Sequence, residues 1–274
     1  LSARSPAIDR RAARRNFERA ALTYPKASRL EREVAARMLA RLDYIRLEPR
    51  RILDAGSGPP RGELRKRYPR AMAIALDFSC AMLTPPGFWG RVLATRGYRV
   101  CADLARLPLA EATVELVWSN MALHWLSDPL PAFREFRRVL APNGLVMFST
   151  LGPDSLKELR AAAGEARVHR FIDMHDLGDM LLAAGLAAPV MDMELLTIEY
   201  PDADTLLGDL RASGQTSARA DRARGLAGRS FGERLRRALG DKPKATFEVV
   251  YGHAWQAAAP RPDVKTVRVF KSIS

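Results

Sequence analysis

"RILDAGSGPPRGEL", residues 51–64, is the stretch that decides the fold. An apolar, β-branched run meets Asp54, then Gly56 and Gly58, and then a helix-like stretch, which is the strand–turn–helix order of a nucleotide-binding unit. Glycines let a backbone approach a ligand closely, and a helix N-terminus offers unpaired N–H groups. Where a third glycine usually falls in such a loop, this chain has Pro60 preceded by Pro59. Proline at a first helical position gives up a donor that the helix leaves unpaired anyway, and its φ suits a helix start, but it cannot take positive φ. The loop therefore reads as a modified one that still binds, at some loss of affinity.

Working outward, short apolar runs alternate with helical patterns. Strands are expected at 50–55, 71–77, 98–104, 113–120 and 145–150, with helices at 61–68, 79–84 and 128–141 between them. Pro142-Asn143-Gly144 reads as the turn into the fifth strand. Alternation of this kind implies an α/β class with a parallel, doubly wound sheet covered on both faces. Further helices are expected near 154–165 and 175–184, and strands at 189–201 and 245–256. Upstream, residues 10–22 and 28–45 have helical spacing, with Leu30, Val34, Met38 and Leu42 in one row and Pro25 separating the two helices. Between the last two strands lies an Arg-rich, Gly-punctuated segment too long for a simple connection, which reads as a lid or partner surface. The expected organisation is an N-terminal helical cover (1–48), a Rossmann-like core (49–200), a helical insertion (201–244), and a last core strand with a tail (245–274).

In open α/β sheets ligands bind beyond the carboxyl ends of the strands, so polar residues there carry the first functional signal. Asp77 ends the second strand, where a carboxylate can accept both hydroxyls of an adenosine ribose. Asp103 ends the third, where an acceptor can meet the adenine amino group while Leu104 flanks the ring. "SNMALHW" (119–125) follows the fourth, with Asn120 at its start. Any one of these has an ordinary explanation as a cap or a polar strand end. Three in register favour a cofactor site.

Composition narrows the class. No apolar run approaches the roughly 18 residues that span a bilayer, and the basic N-terminus lacks the apolar core of a secretory signal. With only Cys80 and Cys101, neither a disulfide framework nor a cysteine-based zinc site is expected. The chain reads as soluble and cytoplasmic. The formal charge of +13 is uneven. Residues 1–51 carry 14 Lys/Arg against 6 Asp/Glu, residues 52–210 carry 16 against 20, and residues 211–244 carry 10 against 3. Two basic segments thus flank a mildly acidic middle. Each alone is an ordinary solvated face, and together they point to an acidic macromolecular partner. No interleaved aromatic and basic motif of a nucleic-acid-binding module is present. His175 and Asp176 do not have the spacing of a metal site and are read as part of a capped amphipathic helix ended by Gly185.

From about residue 50 to 150 the sequence resembles the class I S-adenosylmethionine-dependent methyltransferases, through "ILDAGSG", the acid in "ALD", "CADLARLPL", "SNMALHWL" and "RVLAPNGLVMFST". The resemblance implies a seven-stranded sheet whose last strand is antiparallel, with S-adenosylmethionine over the first, second and fourth strands, held by Asp54, Gly56, Gly58, Asp77, Asp103, Leu104 and Asn120. "FERAALTYPKASRLEREVAARML", "FSTLGPDSLKELR" and "DLRASGQT" extend it to the BioC family of biotin synthesis, whose members methylate the free carboxylate of malonyl on acyl carrier protein. The partner then implied is an acidic acyl carrier protein bearing malonyl, with no nucleic acid and no membrane; oligomeric state stays open. Tyr24 matches the family's N-terminal tyrosine, and His124 and Trp125 sit where substrate should enter. A planar guanidinium is the natural clamp for a carboxylate, with Arg211 and Arg29 as candidates. No metal is implied. "FIDMHDLGDMLLAAGL" and "TFEVVYGHAW" also resemble mitochondrial complex I assembly proteins on the same fold, credited with hydroxylating a protein arginine. That likeness leaves an assembly factor open beside a carboxyl methyltransferase, as does a small-molecule methyltransferase of the quinone type. "SNMA" in place of N-P-P-[YF] after the fourth strand argues against methylation of DNA or amino groups.

Overall fold

The computed structural model describes residues 7–59, 62–84, 97–222, 225 and 228–258. Pro60, on which the reading of the loop turned, lies outside them. Seven strands form one sheet in the order β3-β2-β1-β4-β5-β7-β6. They are β1 (Arg51–Ala55), β2 (Met72–Asp77), β3 (Tyr98–Cys101), β4 (Val114–Ser119), β5 (Leu140–Leu151), β6 (Ala187–Glu199) and β7 (Lys244–Trp255). The first five pair in parallel, and β7 runs antiparallel to both β5 and β6. The strand order turns back between β1 and β4, which opens a crevice at their carboxyl ends.

Adjacent residues of the central strands face opposite layers, and both layers are apolar. Leu53, Val117 and Val146 pack on one side with Phe133 and Phe136 of α6 (Leu130–Val139) and Leu177 and Leu181 of α8 (Met174–Ala183). Ile52, Leu116 and Met147 pack on the other with Leu30, Val34 and Met38 of α3 (Arg29–Arg41), the row read from the sequence. Helix α8 is capped by Asp173, whose carboxylate accepts the His175 N–H and pairs with the exposed His175 ring.

Three local expectations change. Pro25 does not simply separate two helices; it sits in the first turn of a one-turn helix, α2 (Tyr24–Ala27), between α1 (Arg10–Ala20) and α3. Its missing N–H is harmless at that position. Pro142-Asn143-Gly144 is not a turn before the fifth strand but an irregularity inside it, where the β4–β5 register shifts and Asn143 takes φ 62°. Gly144 is needed there, since a Cβ would lie 2.8 Å from the Ala141 carbonyl. Finally, Cys80 and Cys101 form a disulfide, with their Cα atoms 5.4 Å apart. It ties α5 (Cys80–Leu83) to the end of β3.

The N-terminal helices and the segment after β6 are joined to each other. Asp9 N–H donates to Ala218 O, Ala220 N–H to Ala7 O, Asn16 Nδ2 to Thr216 O, and Thr23 Oγ1 to Ala212 O. That segment contains α9 (Ala203–Ala212) and α10 (Arg229–Leu239). Parts of the chain two hundred residues apart thus form a continuous cover above the carboxyl edge of the sheet. No described helix is long and apolar enough to cross a membrane.

Candidate functional site

A cavity of about 640 Å³ lies beyond β1, β2, β3 and β4, lined by Gly56, Gly58, Asp77, Asp103, Leu104 and Asn120 from the sheet side and by Arg10, Phe17 and Tyr24 from the cover. The loop after β1 is folded back onto β2, with Gly56 and Ser57 N–H both donating to Leu76 O. Gly56 has φ +77°, and a Cβ there would stand 2.3 Å from that of Ala122. A side chain at this position would fill the floor of the cavity, so glycine is required twice over, for conformation and for space.

Asp77 is buried, and its two oxygens accept Gly58 N–H at 3.0 Å and Ser79 N–H at 2.8 Å. Burial raises its pKa to about 6, against the lowering effect of those backbone donors. Each carboxylate oxygen has a second acceptor site, so the pair can still take two hydroxyl donors. Asp103 is engaged differently from the sequence reading. Its carboxylate accepts Ala105 N–H at 3.0 Å and pairs with Arg10 of α1, latching the cover onto the β3 end. Asn120 is a strut as well as a wall. It donates to Glu31 O of α3 and accepts from Ser149 Oγ of β5. Asp54, in β1 itself, is not among the residues lining the cavity. Met82 and Met121 are buried and also line it.

Phe17, Phe78 and Tyr24 close the cavity toward a tryptophan. Phe17 meets Trp125 edge-on at 4.9 Å, Phe78 at 5.8 Å and Tyr24 at 6.3 Å. Trp125 also lines a second cavity of about 840 Å³, with His124, Leu151, Leu156, His169 and Phe171 inside it and Phe231, Leu235, Arg167 and Arg211 from other elements. The two cavities share that single wall.

Two imidazoles face the second cavity. His124 is buried and neither ring nitrogen has a partner; burial, reinforced by nearby His169, lowers its pKa to about 3. His169 Nε2 accepts Ala218 N–H at 2.8 Å, and burial together with Arg219 lowers its pKa to about 4. A neutral imidazole that accepts at Nε2 carries its proton on Nδ1. Both rings are therefore neutral donors at ordinary pH. Of the two arginines considered for a carboxylate clamp, Arg211 lines this cavity and Arg29 lines neither. His169, Phe171, Arg167 and Phe231 were missed by sequence reasoning; the run "ARVHRF" (166–171) has no helical or strand period to single them out. Among the described residues no cluster of His, Cys, Asp and Glu could hold a metal ion.

Comparison with known proteins accords with this geometry. A family described as "Methyltransferase domain" matches residues 53–148, from β1 to β5. The YcgJ protein of Bacillus subtilis has a similar fold, with a TM-score of 0.59 at 15% identity, covering 81% of this chain and 98% of that one. A malonyl-acyl-carrier protein O-methyltransferase of Laribacter hongkongensis is 47% identical, over 92% of this chain and 91% of its own. One from Gallionella capsiferriformans is 46% identical, over 97% of each. With identity of this level spanning the core, the N-terminal cover and the insertion alike, the chain belongs to the malonyl-acyl-carrier protein O-methyltransferase family.

Proposed function

We propose that this protein transfers a methyl group from S-adenosylmethionine to the free carboxylate of a malonyl thioester borne by acyl carrier protein. The observation that carries the reading is the shared wall: a strand-end cavity lined by the buried carboxylate of Asp77 meets a second, largely apolar cavity at Trp125. When bound, S-adenosylmethionine supplies an electrophilic methyl on a sulfonium. Asp77 would hold the ribose, Gly56 and Gly58 let the backbone close on the ligand, and Leu104 flanks the base.

The chain's remaining task is alignment and exclusion of water. A carboxylate is already ionised at neutral pH, so no strong general base is needed. Tyr24, with Phe17 and Trp125, shields the junction, and burial there strengthens the remaining polar contacts. His124 orients the carboxylate as a neutral donor; a paired cation at that point would hold the nucleophile's charge more firmly. The described residues of 7–48 and 201–244 act as the cover, and basic residues on them form the rim on which an acidic carrier docks.

The test is methyl-ester formation on malonyl carrier protein, read by mass spectrometry, with acetyl carrier protein as the acceptor lacking a carboxylate. Ester on the first and none on the second is expected. Cofactor binding without ester on either would overturn the reading.

A further inference from the structure

The mouth of the second cavity carries two arginines with no ion-paired acid among the described residues. Arg167 and Arg211 both line the cavity and both are exposed. Arg167 lies over the ring of Phe231, 4.3 Å from its centroid. Among the described residues neither guanidinium has a hydrogen-bond acceptor or an ion-pair partner. Neighbouring arginines of the cover are engaged: Arg10 with Asp103, Arg219 with Asp221, Arg222 with Asp9, and Arg236 with Asp204.

The inner end has the opposite character. His124 is buried and neutral, and the walls around it are Trp125, Leu151 and Phe171. The lining of this cavity, from His124 and Leu151 to Arg211 and Phe231, is also more extensive than a malonyl group alone would need. The shape and charge therefore suit a linear ligand: a small reacting head at Trp125, an uncharged stem along apolar walls, and an anionic group at the exposed outer end.

We propose that Arg167 and Arg211 form a subsite for the phosphate at the outer end of the thioester arm, rather than a clamp for the carboxylate that is methylated. This rests on the malonyl-thioester reading above and adds a second recognition element to it. The guanidinium fork matches two phosphate oxygens at once. Its exposure at the mouth means the phosphate need not be stripped of water to bind. The same exposure makes the pair unsuited to the carboxylate, which must reach the dry junction with the cofactor cavity.

The experiment compares two arms that differ only by the phosphate. Binding of 4′-phosphopantetheine and of pantetheine is measured by calorimetry without cofactor, and kcat/KM is measured for their malonyl thioesters. Hydrogen bonds to a charged group predict that the native protein favours the phosphorylated arm by about tenfold or more. In Arg167→Gln and Arg211→Gln that ratio should fall toward one. Equal affinity of the native protein for both arms overturns the proposal, with no variant needed. So does an equal loss on both substrates in the variants, the behaviour of a carboxylate clamp. If no malonyl thioester is methylated, the proposed function fails, and the calorimetric ratio still decides whether the subsite exists.

Discussion

The proposed cofactor cavity is drawn from residues just past the carboxyl ends of four adjacent parallel strands, whereas the proposed substrate cavity is assembled from separate stretches around positions 124, 151, 169, 211 and 231. The first is fixed by the hydrogen bonds of the sheet. Gly56 and Ser57 hang from Leu76, and Gly58 hangs from Asp77. The second is fixed by packing and by single links from the cover, such as Ala218 N–H to His169 and Gln215 to Glu31. A site built on a sheet edge has little room to relax when an atom is added or a charge removed. One built on cover elements can give way. Effects of substitution should therefore be largest at the strand ends and fall toward the rim.

Gly56→Ala is the most severe test. The added methyl meets Ala122 at 2.3 Å, and φ +77° is unfavourable for any residue with a Cβ. Cofactor affinity should fall on the order of a hundredfold or more, since the strain alone costs about 1–2 kcal/mol before the clash is counted. Calorimetry with S-adenosylmethionine reads the affinity, and thermal melting without ligand confirms that the sheet still forms. Binding within a few-fold of the native value would show that this edge is softer than its hydrogen bonds imply.

Asp77→Ala comes next. Two hydrogen bonds from ribose to a charged acceptor are lost, which predicts a tenfold to hundredfold weaker cofactor, at roughly 1.5–3 kcal/mol. The same residue predicts a pH dependence. Burial raises its pKa to about 6, so the cofactor-free protein holds a proton there that the unfolded chain, with its acid near 3.8, has already lost. Stability from this group is present at low pH and is lost as pH rises through about 6. Ligand binding runs the other way, because ribose donors need the ionised form. Affinity for the cofactor should weaken by about tenfold for each unit below pH 6, and Asp77→Asn should flatten that slope.

Much of this contrast was legible in the sequence, and for a physical reason. Strand-end residues are local: Asp77, Asp103 and Asn120 each follow an apolar run whose period marks a strand, so their shared edge can be inferred before any contact is seen. The parallel sheet and its two covered faces followed from the same alternation, whereas the antiparallel last strand came only from the family resemblance. Asp54 shows the limit of local reading, because being in the motif did not make it part of the cavity wall. His169 and Arg167 were illegible, since they matter only through Ala218 and Phe231, partners about fifty residues or more away. The disulfide escaped because two cysteines alone give no spacing rule; it depends on α5 folding back on β3.

At His124 the expected loss is smaller. His124→Phe keeps the volume and removes a neutral donor, so KM for the malonyl thioester should rise about tenfold, with cofactor affinity near the native value because the residue lines only the other cavity. Burial holds its folded pKa down at about 3, against the 6.5 of an ordinary imidazole. The stability tied to the neutral ring is thus present above about 6.5 and is lost as pH falls and the unfolded chain takes up the proton. The variant should consequently lose less stability than the native protein between pH 6.5 and 4, measured by denaturant unfolding. An unchanged KM with that acid response intact would leave His124 as packing alone.

The rim should show the smallest effect and the clearest dependence on salt. Helix α10 turns Phe231 and Leu235 toward the substrate cavity while Arg234 and Arg237 are exposed, and Arg236 is already paired with Asp204. The free pair, not all three, is the one to reverse. Exposed charges are screened beyond about 8–10 Å at 0.1–0.15 M salt, so they act chiefly on the rate of encounter. Arg234→Glu with Arg237→Glu should lower kcat/KM for malonyl carrier protein several-fold at low salt, and the gap from the native protein should close as salt is raised. The small malonyl-pantetheine thioester, which has no acidic surface to steer, should respond much less. Equal losses on both substrates would mean that the charges act on the cavity itself, and a loss that persists in high salt would mean that they make short, desolvated contacts. Either result would erase the distinction between a rigid strand-end site and a forgiving rim.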